Sequence, residues 1–191
     1  MPAFVHIDFK GLPLTPSYLL ARFAELHDAG ASGVVLEWED CLPLSGSLAG
    51  YASAHAYTAA EVQQIVAGAE EMGLSVVPLV QTLGHVEFLL KHESCAALRE
   101  DALDYGTLCP SHHEAVALVA ELLKQVMGFH PNATKVHIGC DEARHIDLGS
   151  SNPRPSCCGD AQIDHTLRLP TPPPTRRLAV RTYSPRWACT S

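Results

Sequence analysis

TAAEVQQIVAGAEEMGLSVVPLV, residues 58–80, sets the pattern for the first three quarters of the chain. Thr58 followed three residues later by Glu61 reads as a capping box, in which hydroxyl and carboxylate satisfy the first free amides of a helix. Val62, Ile65, Val66 and Ala69 then recur at helical spacing, and Gly73 supplies the stop. Leu74–Val80 is apolar without alternation, as a strand covered on both faces reads. The same helix and strand units recur on either side. Upstream, Ala3–Phe9 predicts a first strand. Thr15-Pro16 then predicts a helix start with proline at the first helical position, and Leu19, Leu20, Phe23 and Leu26 its inner face as far as Gly30. Gly33–Trp38 predicts a second strand. Downstream, helical stretches are expected around Val86–His92 and Cys95–Glu100. A longer helix capped by Ser111 should run to about Phe129, with Val116, Val119, Leu122, Leu123 and Val126 inward, and Thr134–Gly139 predicts a fourth strand. This β-α-β-α-β-α-β order, with continuous apolar strands, implies an α/β fold with a parallel sheet covered by helices.

Composition bounds the rest. Of 191 residues, 47% are apolar and 18% charged, which suits a buried core rather than disorder. A formal charge of −8 offers no basic footprint for nucleic acid or an anionic membrane surface, and no apolar run is long enough for a membrane span. The charge is unevenly spread. Residues 1–143 hold 6 basic and 18 acidic side chains, whereas residues 144–191 hold 7 Arg, 3 Asp and half of the 14 prolines. Neither helical nor strand periodicity continues past Arg144, so the expected organisation is a domain over 1–143 and a Pro/Arg-rich, disordered tail over 144–191. Seven scattered cysteines without CxxC spacing, and an N-terminus with no basic segment before its apolar run, predict reduced thiols and a cytoplasmic or nuclear location.

In a parallel α/β sheet chemistry collects at the carboxyl ends of the strands. Those ends supply His6, Asp8 and Lys10, then Glu37, Glu39 and Asp40, then Gln81 and His85, then His137, Asp141 and Glu142. Each group has a bland explanation. Glu39-Asp40 could be a solvated turn, His6 and His137 core histidines, and Asp141-Glu142 the cap of a following helix. Coincidence at all four strand ends favours a functional site. Two chemistries fit it. Neighbouring carboxylates suit a general acid beside a charge stabiliser. Alternatively, His6, Asp8, His85, His137 and Asp141 could hold one or two divalent ions in a barrel hydrolase.

The segment His137-Ile-Gly139-Cys-Asp141-Glu142 resembles the H-x-G-x-D-E motif of glycoside hydrolase family 20, the β-N-acetylhexosaminidases. Pro78-Leu-Val-Gln-Thr-Leu-Gly84-His85 is similar to that family's third-strand segment ending in P-G-H, and residues 3–143 as a whole resemble its nucleocytoplasmic branch. The resemblance implies a (β/α)8 TIM barrel and a substrate-assisted retaining mechanism with no metal or cofactor. Its substrate would be a glycoside ending in an N-acetylhexosamine, GlcNAc or GalNAc. By the same resemblance Glu142 is the catalytic acid and base, and Asp141 the catalytic partner that orients the acetamido group. His85 and His137 support the pair, and Asp8, Glu39 and Asp40 are candidates for sugar hydroxyls. Two departures stand out. Lys10 occupies the place of an arginine that many members carry after strand one, and Gln81-Thr82-Leu83 replaces the usual acid and proline before Gly-His.

Four βα units make the N-terminal half of such a barrel, which takes about 250 residues. The resemblance ends near Ala143, and the tail reads as an alternative splice or read-through ending. Three readings follow. The chain is the catalytic half of a hexosaminidase, or a metal-dependent barrel hydrolase, or a non-catalytic truncated isoform. Inactivity of the 191 residues by themselves is the expectation, and open strand edges leave pairing into a homo-oligomer open.

Overall fold

The structure, a computed structural model, describes residues 2–143 apart from Leu12. The tail from Arg144, with the expectation of disorder placed on it, lies outside the described residues. Three parallel strands form one sheet in the order β1 (Phe4–Asp8), β2 (Gly33–Glu37), β3 (Ser75–Leu79). The register aligns Phe4 with Gly33 and Ser75, and Asp8 with Glu37 and Leu79. Because side chains alternate across a strand, His6, Asp8, Val35, Glu37 and Leu79 share one face. Val34, Leu36, Val76 and Pro78 share the other, which is buried under helices.

The helices begin where their caps dictate. Helix α1 (Pro16–Asp28) starts at Thr15, whose hydroxyl accepts from the Tyr18 amide, and buries Leu19 and Phe23 with Leu20 and Leu26 packed at the margin. Helix α2 (Ala59–Glu71) has both bonds of its capping box, Thr58 with Glu61, worth about 1 kcal/mol. The two helices touch closely, since a Cβ on Gly68 would overlap the Leu20 side chain. Beyond β2 the core continues through Trp38. Its ring stacks on Phe9 with centroids 4.8 Å apart, meets Tyr57 edge-on, and donates from Nε1 to His130 Nε2 at 3.1 Å.

Several expectations need correcting. The stretch around Val86–His92 contains only one helical turn, α3 (Glu87–Leu90), and Glu93–Leu98 is a 3₁₀ turn. Helix α4 (His113–Gly128) is capped by His112, whose Nδ1 accepts from the Glu114 amide at 3.2 Å, and not by Ser111. Imidazole can accept as well as donate, so it serves where a hydroxyl was expected. Ala115 takes the inward place expected of Val116, which is 45% exposed. Residues Thr134–Gly139 do not form a fourth strand. Only His137 bridges to Leu79, in parallel, through His137 N to Pro78 O and Val80 N to His137 O, both 2.9 Å. The chain leaves the sheet at once: the Gly139 amide folds back onto His137 Nδ1 at 3.1 Å, and Gly139 has φ +65°.

Candidate active site

At the carboxyl ends of the strands lies an open cleft of about 390 Å³. It is lined by His6, Asp8 and Lys10 at the end of β1, Glu37 on β2, Gln81 and His85 after β3, and His137 and Asp141 on the bridging segment. The alternation of the strands brings these together, since β1 and β2 present every second residue to the same side.

Glu37 forms the floor. It is 4% exposed, and both its oxygens are engaged: His6 Nε2 lies 2.8 Å from Oε2, and Gln81 Nε2 donates to Oε1 at 2.8 Å. Pairing at both oxygens offsets the cost of taking so enclosed a side chain out of water. Beside it, Glu39 is also buried, with Lys10 Nζ 3.0 Å from Oε1, and Asp40 is bound by Lys91 Nζ at 2.9 Å. Glu39-Asp40 is therefore a pair of carboxyls each held by a lysine and not a solvated turn. His6 and His137 are exposed to the cleft side, so neither is a core histidine. Among the described residues the buried histidines are His112, which caps α4, and His130, packed against Trp38 with its Nδ1 bonded to Val126 O and its basicity lowered by burial.

Burial raises the carboxyl of Glu39 to about 7, and the charges of Asp8 and Glu37 push the same way, against the opposing pull of Lys10. Its ordinary value is near 4.5, so between these limits the folded chain binds more protons at Glu39 than the unfolded chain does. Stability attributable to this group then falls as pH rises through that window. The thermal midpoint of the parent should drop from pH 5 to pH 7.5 more than that of Glu39→Gln. Equal slopes in the two proteins would refute the assignment.

His85 stands between the two carboxylates, with Nε2 3.4 Å from Glu142 Oε2 and 3.8 Å from Asp141 Oδ2. The side chains of Asp141 and Glu142 are 62% and 59% exposed at the rim. Their turn is seated on the chain after β3. Thr82 Oγ1 donates to Ile138 O at 2.7 Å, and a Cβ on Gly84 would overlap the Asp141 carbonyl. Among the described residues the non-glycine positions with positive φ are Glu39, His85, Cys140 and Glu142, of which His85 lines the cleft and each other one is within two residues of a lining residue. Left-handed backbone at such residues costs free energy and gathers where geometry serves function.

The candidate site residues thus divide. Asp8, His85, His137 and Asp141 line one cleft, and Glu142 reaches it through His85. Asp40 is turned toward Lys91, and Glu39 lies beneath Lys10. As for metal ligands, the described acids and histidines that could jointly hold an ion are Asp8, Glu37 and Glu39, not the histidine-rich set. The Lys10 ammonium already pairs with Glu39 of that trio. Sequence reading gave Glu37 no role, although it shares the parity of Val35 on a strand whose other face is wholly apolar. Lys91 carried no signal of its own.

A model of the glycosyl hydrolase family 20 catalytic domain matches residues 18–162, running past Ala143 into residues outside the described part. The chain belongs to glycosyl hydrolase family 20. Proteins named hexosaminidase D are similar to it, 43% identical over 148 residues in Bos taurus and 41% over 150 residues in Homo sapiens. Each alignment covers 78% of this chain, which spans 43% and 31% of those relatives' lengths. Among solved structures, a chitobiase from Flavobacterium johnsoniae superposes with a TM-score of 0.61 at 20% identity, over 75% of this chain and 24% of its own. A Streptomyces plicatus N-acetyl-β-hexosaminidase bound to thio-NAglucal gives 0.58 at 20% identity, over 74% and 32%. These family 20 neighbours make the fold TIM-barrel-type α/β, and the described residues are a part of it built on a parallel sheet.

Proposed function

We propose that this chain carries the acid–base pair of a β-N-acetylhexosaminidase that removes terminal non-reducing N-acetylhexosamine residues by substrate-assisted, retaining hydrolysis. The observation that carries the reading is His85 Nε2 lying within 3.8 Å of both Asp141 and Glu142 at the rim of an acidic cleft, in a chain of this family. In the first step the substrate's acetamido oxygen bonds to the anomeric carbon while the glycosidic C–O bond breaks and Glu142 gives its proton to the departing oxygen. The product is an oxazolinium ion. Asp141 accepts the acetamido N–H and stabilises a positive charge that exists only along the reaction path. Water then adds to the anomeric carbon, Glu142 takes the proton, and the acetamido oxygen is released. Asp8 and His137 face the sugar, whereas Glu39 and Asp40 act through the lysines they hold. The chemistry runs without metal or cofactor. Within this proposal residues 1–143 contribute three strands, their helices and the bridging segment at His137 to the barrel, followed by a tail, in a cytoplasmic or nuclear protein.

The exposure of Asp141 and Glu142 favours a second reading, in which the 191 residues alone do not turn over. Oriented charges stabilise a transition state well only where water is excluded. Purified chain, first shown to melt cooperatively, is assayed on aryl N-acetyl-β-glucosaminide and galactosaminide with and without EDTA. The first reading expects slow hydrolysis indifferent to EDTA. Loss of turnover in EDTA would overturn the mechanism, and a folded chain without turnover would establish the second reading.

A further inference from the structure

We infer that Glu37 and Gln81 are positioning residues for the turn that bears Asp141 and Glu142. The catalytic meaning of that turn rests on the function proposed above, but the placement rests on geometry alone. Glu37 uses one oxygen for His6 and the other for Gln81 Nε2, so the Gln81 amide has a fixed orientation. With its nitrogen held, its oxygen is turned against Gly139: a Cβ at that position would overlap Gln81 Oε1 and stand 3.0 Å from Gln81 Cα. Oε1 is buried there with no hydrogen-bond partner among the described residues. The amide therefore serves as a shelf on which a glycine backbone rests, and only glycine can rest there. From that contact the chain enters its left-handed run, with φ +65° at Gly139, +77° at Cys140 and +49° at Glu142. Among the described residues the same backbone is also held by the His137 bridge and by Thr82 Oγ1, which donates to Ile138 O, so the shelf is one of the supports that place the turn. Three elements are linked in series: Glu37 on β2 orients Gln81 after β3, and Gln81 supports the turn after the bridge. Neither residue needs to touch the substrate.

The test reads amide hydrogen exchange at Val80 and His137, which bond across the bridge, in the full chain and in Glu37→Leu, Glu37→Gln and Gln81→Asn. Leucine at 37 cannot orient the amide, and asparagine at 81 is too short to span from Glu37 to Gly139. Both should speed exchange at the bridge by about tenfold or more, the scale of losing a hydrogen bond to a charged acceptor, while α2 exchanges as in the parent. Glutamine at 37 can still accept from Gln81 and donate to His6 Nε2, so it should restore parental exchange. A merely structural role would predict no such rescue. Exchange within twofold of the parent in Gln81→Asn, or a Glu37→Gln as fast as Glu37→Leu, would overturn the inference. If Glu37→Leu melts throughout, Gln81→Asn against Glu37→Gln decides. Where the parent turns over, Gln81→Asn should lower kcat with KM little changed. A chain that shows no hydrolysis yet responds in exchange would sink the reading that it turns over by itself and leave the shelf standing.

Discussion

Glu142→Gln lowers whatever turnover of an aryl N-acetyl-β-glucosaminide the parent chain shows by about 10²–10⁴-fold, the range for a lost general acid and base. The amide keeps the shape of the side chain and removes only the proton that must reach the departing oxygen and return from water. An aryl group leaves readily without protonation, so the loss should sit at the lower end with aryl substrates and grow with alkyl glycosides. Because the Glu142 side chain is 59% exposed, the variant should melt with the parent, which separates chemistry from folding. Equal activity in the two proteins would remove Glu142 from the mechanism.

Trp38→Ala should cost about 3–5 kcal/mol, the range for truncating a buried aromatic residue. Trp38 is fully buried, stacks on Phe9 at 4.8 Å and meets Tyr57 at 5.9 Å, so its removal opens a cavity between β2, the end of β1 and the loop before α2. A second loss adds to the first. His130 donates from Nδ1 to Val126 O, which leaves Nε2 as the acceptor for the indole N–H. Without Trp38 that nitrogen stays buried and unpaired. Against a total stability of about 5–15 kcal/mol for a domain, the urea midpoint should fall steeply or the cooperative transition disappear. A shift worth less than about 1 kcal/mol would mean that the aromatic cluster is not the keystone described.

The regular units were legible because their signals are local. Thr15-Pro16, the Thr58–Glu61 box and the glycines at 30 and 73 each act within a turn of chain, and each element appears where those residues put it. The fourth strand was not legible. The run TKVHIG has strand composition, but a ladder depends on what lies alongside, and here β3 offers one bridge before Gly139 turns the chain away. The cap of α4 falls one residue beyond Ser111 because a histidine serves it, a role visible only once its ring is placed. Within the site, strand parity announces that His6, Asp8 and Glu37 converge. The ion pairs of Glu39 with Lys10 and Asp40 with Lys91 depend on loop paths, which sequence spacing does not encode.

Adjacent residues of β2 and its continuation serve opposite ends: Glu37 floors the cleft while Trp38 fills the core. A single residue inserted or deleted within Gly33–Glu37 would exchange these two destinations, delivering a carboxylate to the aromatic cluster and an indole to the cleft. The strand therefore behaves like a reading frame, in which a change of length does more damage than a change of identity. Changes of length are tolerable only past Glu39, in the loop that leads to Thr58, where neither alternation is at stake.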